Sequence, residues 1–150
     1  MKNTDFTWSP GASLWTPSLQ LHIPVIDEQH RQLINKLEEL LLAIHRKGDN
    51  AHIRGLALFL QRYSLEHFRT EEDYMFKYEY PGTDQHIITH NAFRENIIRV
   101  KEFIQRHPTS LEALQLVESI MVRWYLDHIQ GIDQQFASFL RDKGVVGELG

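Results

Sequence analysis

Between a Pro-Gly break at 81–82 and a further proline at 108, the chain reads His86, His90, Phe93, Ile97, Val100, Ile104, each three or four residues after the last. Only a helix gives that period a single face, and here it lays six side chains along one stripe. The stripe is aliphatic or aromatic over its last four members and imidazole over its first two. A polar group that faces a core must be satisfied there. Two histidines at the head of a core stripe therefore demand partners from other parts of the chain.

Three more stretches have the same period. The first is expected to start near Pro24 and stop at Gly48, with Leu33, Leu37, Leu40, Leu41 and Ile44 inward; one turn further back the stripe lands on His30. The second, capped by Asp49 or Asn50, runs Ile53, Leu56, Leu60, Tyr63, His67, Glu71, Tyr74. The fourth opens at Thr109-Ser110 with Glu112 as a capping box and continues Leu114, Val117, Met121, Trp124, His128. Asp133 follows five residues later, before Phe136 and Leu140. On an ideal helix five residues turn about 140°, so His128 and Asp133 are expected to flank the core line, with Gly131 easing a local adjustment.

Four amphipathic helices with short connections predict an all-α, up-down-up-down antiparallel four-helix bundle over residues 24–142. Residues 1–23 hold Trp8, Pro10, Gly11, Trp15 and Pro17 without helical period. They are expected to form an extended arm packed on the bundle, since two tryptophans are costly to leave in water. Residues 143–150 are expected to form a flexible tail.

In such a bundle the starts of odd helices and the ends of even ones share one end of the molecule. His30, His67, Glu71, His86, His90, His128 and Asp133 then fall at one level, inside. Cysteine is absent while histidine occurs nine times, so a metal held there has only nitrogen and oxygen donors. Five imidazoles and two carboxylates exceed one tetrahedral zinc and suit two octahedral first-row ions with shared bridges. Two bridging carboxylates and one hydroxide would leave such a pair of divalent ions a single net positive charge. Iron fits the donors best, with manganese and zinc compatible.

Other signals read plainly. A net charge of −4 with scattered Lys and Arg argues against a nucleic-acid partner. The longest aliphatic run, Leu40 to Ile44, is far short of a membrane span, and the start lacks a secretory pattern, so a soluble cytoplasmic address is expected. His22, His45, His52 and His107 sit at ends or connections and are read as solvated. Arg69, Glu72, Asp73 and Lys77 read as a solvated face. Phe68 and Trp124 read as core, Trp124 also as a wall of the site.

The pieces IDEQH at 26–30, HFRTEE at 67–72, H-x-x-x-H at 86–90 and WYLDHIQGID at 124–133 resemble the hemerythrins, more closely their single-domain bacterial members. The likeness spans about residues 21–141. It implies a non-haem di-iron centre with carboxylate and oxo or hydroxo bridges. His86, His90 and His128 would bind one iron, His30 and His67 the other, and Glu71 and Asp133 would bridge. The two-histidine iron would keep a position open for dioxygen, bound end-on. Leu33, Phe68, Trp124 and Ile129 match the family's apolar dioxygen pocket. Tyr125 stands where the family usually has Leu; its hydroxyl would either meet bound oxygen or turn to the bundle surface.

The implied function is reversible dioxygen binding for transport, storage, delivery or sensing, not catalysis, with an oxygen-consuming enzyme as a possible client. Two alternatives are a di-iron oxidase or peroxidase and an iron or redox sensor acting through a partner. No inward Lys, Arg or extra acid is expected at the site level to cleave a peroxide, which favours the carrier. A metal-free bundle is the structural alternative.

Overall fold

A computed structural model describes residues 8–149; the first seven residues of the expected arm and Gly150 of the expected tail lie outside it. Four helices make the body: α1 Pro24–His45, α2 Asn50–Lys77, α3 Thr83–Arg106 and α4 over residues 111–143. Pro24 occupies the first turn of α1. Asp49 caps α2 by accepting from the His52 N–H, and Ser110 caps α4 by accepting from the Ala113 N–H. The third position of α4 is thus Ala113, which has no polar side chain to return the bond, so Ser110 acts alone and the expected box with Glu112 does not form. Short connections at 46–49, 78–82 and 107–110 turn each helix back against the last, and the described residues form an all-α bundle.

The stripes bury as one core. Leu33, Leu37, Leu40 and Leu41 of α1, Ile53, Leu56 and Leu60 of α2, and Phe93, Ile97, Val100 and Ile104 of α3 are all buried. In α2 the buried line drifts. Tyr63 and Tyr74 are only half-buried, while Ser64, Phe68 and Met75 take the inward positions. A straight helix turns about 20° per heptad against a fixed seam, so a 28-residue helix cannot keep one line inward throughout.

The fourth helix departs most from its sequence pattern. Val117–Val122 and Ile129–Asp133 are π-helical turns, in which each N–H reaches back five residues. The wider first turn rotates the inward face by about one residue. Tyr125 becomes fully buried and Trp124, expected in the core, is half-buried at its edge.

Residues 8–23 lie against the bundle. Trp8, Leu14, Leu19, Leu21 and Ile23 are buried, and the Trp8 ring meets His45 edge-on at 5.7 Å. Arg31 covers the half-buried Trp15 ring at 4.8 Å. Asp27, itself buried, fixes the junction with α1 by accepting from the N–H groups of Leu21 (2.8 Å) and His22 (3.0 Å). His22 there takes a left-handed backbone, φ 62°. At the other end Gly144 reverses the chain at φ 74°, Val145 is buried, and the Tyr78 hydroxyl donates to Glu148 at 3.1 Å. Among the described residues no helix is long and apolar enough to cross a membrane.

Candidate metal centre

All four helices contribute to one buried polar cluster. α1 supplies His30, α2 His67 and Glu71, α3 His86 and His90, and α4 His128 and Asp133. Each pair on α2 and α3 is four residues apart, one helical turn, so both members point the same way. His128 and Asp133 are five apart and still converge: their Nε2 and Oδ1 atoms stand 3.1 Å from each other. The π turn Ile129–Asp133 does this, because its i to i+5 bonding places residues five apart over one another. The expectation that they would only flank the core line is overturned by that local unwinding.

The distances define two overlapping donor sets. In the first, His86 and His90 Nε2 each lie 3.2 Å from His128 Nε2, with Asp133 Oδ1 2.9 Å from His86. Glu71 Oε1 joins at 3.2 Å from His90. In the second, His30 and His67 Nε2 are 3.0 Å apart, Asp133 Oδ2 is 3.2 Å from His30 and Glu71 Oε1 3.3 Å from His67. Glu71 and Asp133 belong to both, and Asp133 turns a different oxygen to each. Within each set one donor atom per residue lies within 4.8 Å of all the others.

These spacings are poorly suited to a self-satisfied polar core. Imidazole and carboxylate atoms approach to about 3 Å, yet both oxygens of Glu71 and both of Asp133 lack a directed hydrogen bond among the described residues. Four such buried acceptors are costly. The arrangement does suit cations. Two donors about 2.1 Å from one ion and at right angles stand about 3.0 Å apart, the edge of an octahedron. The residues therefore fit two metal ions, five donors around one and four around the other.

Outward contacts aim the ring nitrogens. Gln29 Oε1 lies 2.7 Å from His67 Nδ1, and Glu72 Oε2 lies 2.7 Å from His90 Nδ1. Both partners are acceptors, so Nδ1 of each ring carries the proton and the Nε2 lone pair faces the cluster. His128 Nδ1 has a longer contact with Thr89 Oγ1, 3.4 Å. Burial, then the neighbouring His30, holds His67 well below the ordinary imidazole range, and burial lowers His90 to about 4 despite Glu72. Glu71 is pushed well up by burial and by Asp133. Burial also works to raise Asp133, but the His128, His30 and His86 rings around it outweigh that and hold it well down.

Of the five residues read as a dioxygen pocket, Phe68 stacks on His90 at 4.1 Å and Trp124 on His128 at 4.3 Å, while Leu33 and Ile129 are fully buried. Tyr125 does not take the outward course. It is fully buried, and its hydroxyl donates to Ser64 Oγ of α2 at 2.5 Å instead of turning to the bundle surface. His22, His45, His52 and His107 are exposed and stand apart from the cluster. Sequence reasoning misses two residues. Gln29 carries no signal beyond its place beside His30. Glu72 reads with a solvated face, although its side chain is only 16% exposed. It stands one turn after the core residue Phe68, which is the available signal.

Residues 21–140 match the hemerythrin HHE cation-binding domain family. A bacteriohemerythrin of Stenotrophomonas maltophilia is 31% identical over 124 residues, covering 83% of this chain and 78% of the relative. One from Clostridium acetobutylicum is 27% identical over 82% of this chain and 97% of its own length. A hemerythrin of Sipunculus nudus is 28% identical over 87% of this chain and 96% of its own length. With a family match across most of the bundle and relatives aligned over most of their length, this chain belongs to the hemerythrin family.

Proposed function

We propose that the protein binds dioxygen reversibly at a di-iron centre held by His30, His67, Glu71, His86, His90, His128 and Asp133. The observation that carries this reading is the unequal donor count: five protein donors in one set, four in the other, with two carboxylates common to both. His86, His90 and His128 cap one ion, His30 and His67 the other, and Glu71 and Asp133 hold the two together while offsetting their repulsion. The three-histidine set would thus offer its ion one protein donor more than the two-histidine set, leaving more room for a further ligand beside His30 and His67. Two ferrous ions held by these residues would supply the electrons for reversible dioxygen binding.

The chain's own contribution is enclosure and aim. Leu33, Phe68 and Ile129, fully buried, keep water and anions from the open side, and Trp124 covers His128. Tyr125 belongs to this wall by its ring, not by its hydroxyl, which Ser64 engages. The buried carboxylates and imidazoles among the described residues are the seven cluster members and Asp27, which is engaged with backbone N–H groups at the arm. Transport, storage, delivery to an oxygen-consuming client and sensing, all in the cytoplasm, use this same site.

The test is an iron assay with absorption spectra of the reduced protein before and after air. Two irons per chain and a charge-transfer band that appears with oxygen and disappears on its removal support carriage. Sustained peroxide consumption with a reductant would replace it with the enzyme reading.

A further inference from the structure

Among the described residues, Glu72 brings a charged contact to the cluster from outside, at His90 of the three-histidine set. Glu72 Oε2 accepts from His90 Nδ1 at 2.7 Å, and Arg94 closes on the same carboxylate with both terminal nitrogens, at 2.9 and 3.0 Å. The Arg94 guanidinium also lies 5.3 Å from the centre of the Phe68 ring, which itself stacks on His90 at 4.1 Å. His90 is thus held by a carboxylate at its outer nitrogen and by an aromatic face. The corresponding contact of the other set is neutral: His67 Nδ1 meets the amide oxygen of Gln29, whose nitrogen donates to Thr70 Oγ1 at 3.3 Å. Neither His30 Nδ1 nor His86 Nδ1 has a hydrogen-bond partner among the described residues.

We propose that Glu72 is a positioning residue that makes the three-histidine iron the more electron-rich of the two, with Arg94 setting how strongly it does so. The inference rests on the di-iron reading above. A carboxylate at Nδ1 draws the ring proton outward and raises the electron density that Nε2 offers to a metal, whereas an amide does so far less. More donation favours the ferric over the ferrous state. Arg94 withdraws part of the carboxylate's charge through two charge-assisted hydrogen bonds, so its loss strengthens the pull of Glu72 on His90.

The pair of opposed signs separates electronic tuning from mere bracing of α2 against α3. Glu72→Gln and Arg94→Gln both break the same ion pair. Bracing predicts that they act alike; tuning predicts that they act oppositely. Gln29→Glu adds a carboxylate at His67 without touching that pair and covers the case in which a broken ion pair prevents folding. The measurement is mediated redox titration of each iron-loaded protein, with iron content per chain determined on the same samples. Glu72→Gln is expected to weaken ferric over ferrous binding about tenfold, a rise of about 59 mV for a one-electron couple, while Arg94→Gln and Gln29→Glu lower the potential.

Displacement of both ion-pair variants in the same direction overturns the inference. So do potentials equal to wild type in all three variants at two irons per chain. Wild-type protein that takes up no iron removes the di-iron reading itself, and this inference falls with it.

Discussion

At Tyr125 a phenol with raised pKa stands wholly inside the bundle, and burial is the main cause of the rise. Its hydroxyl remains a donor, and Ser64 on α2 accepts it. Two buried hydroxyls that satisfy each other are coupled, so removing either leaves the other unpaired. A double-mutant cycle of Tyr125→Phe and Ser64→Ala by urea unfolding should give a coupling of about 1 kcal/mol. Additive effects would detach the hydroxyl from Ser64. Asp133 makes the corresponding prediction for the metal. It turns one oxygen toward His30 and the other toward His86 and His128. Asp133→Ala should therefore reduce iron from two per chain to one or none, with loss of the oxygen-dependent absorption band. His30→Ala should empty mainly the four-donor set. A metal-free bundle would leave both spectra unchanged.

At the scale of the element, α4 differs in kind from the other helices. The pairs on α2 and α3 were readable because a regular helix makes four-residue spacing mean one face. A five-residue spacing has that meaning only if the helix unwinds locally, and no residue type announces a π turn. Gly131 is placed to ease a local adjustment, yet a Cβ at that position meets nothing within 4 Å, and its φ is not positive. The turn does not need glycine's freedom. Gly131→Ala should then stabilise the protein by about 0.5–1 kcal/mol through helix propensity while iron content stays at two per chain. Loss of stability on thermal unfolding would show that the turn does depend on the glycine. The first π turn, Val117–Val122, has a different effect, since it exchanges Trp124 for Tyr125 on the inward face.

Across the whole molecule, the cluster makes folding depend on cations and on protons. Ions that bind the folded chain and not the unfolded one stabilise it by mass action, so chelation of iron should lower the melting temperature. In the metal-free protein His67 and His90 resist protonation, His90 down to about 4. Unfolding frees both to take up protons near 6.5. Glu71 acts the other way, because its raised pKa lets the folded chain bind a proton that the unfolded one would not. Asp133, held well down, adds its own loss only below the ordinary aspartate range. The two histidines outweigh the one carboxylate, so stability of the metal-free protein should fall as pH drops from about 6.5 toward 4. Denaturant midpoints across that range check the slope; a flat profile would mean that the cluster's protons redistribute internally.

The amino-acid pattern by itself determined the helices α1 to α3, their directions, and the common level of His30, His67, Glu71, His86 and His90, because helical period and short turns are local and leave few packings open. It also marked His128 and Asp133 as inward candidates, but not how they meet. Only the tertiary structure decided the π turns of α4, the burial of the Tyr125 hydroxyl against Ser64, and the inward reach of Glu72 to His90. The contacts of Tyr125 and Glu72 join residues distant along the chain, and the π turn Ile129–Asp133 gives up regular helix to bring Asp133 to the buried centre: the free energy of satisfying polar groups in a dry core outweighs the preference of one turn for regular helix.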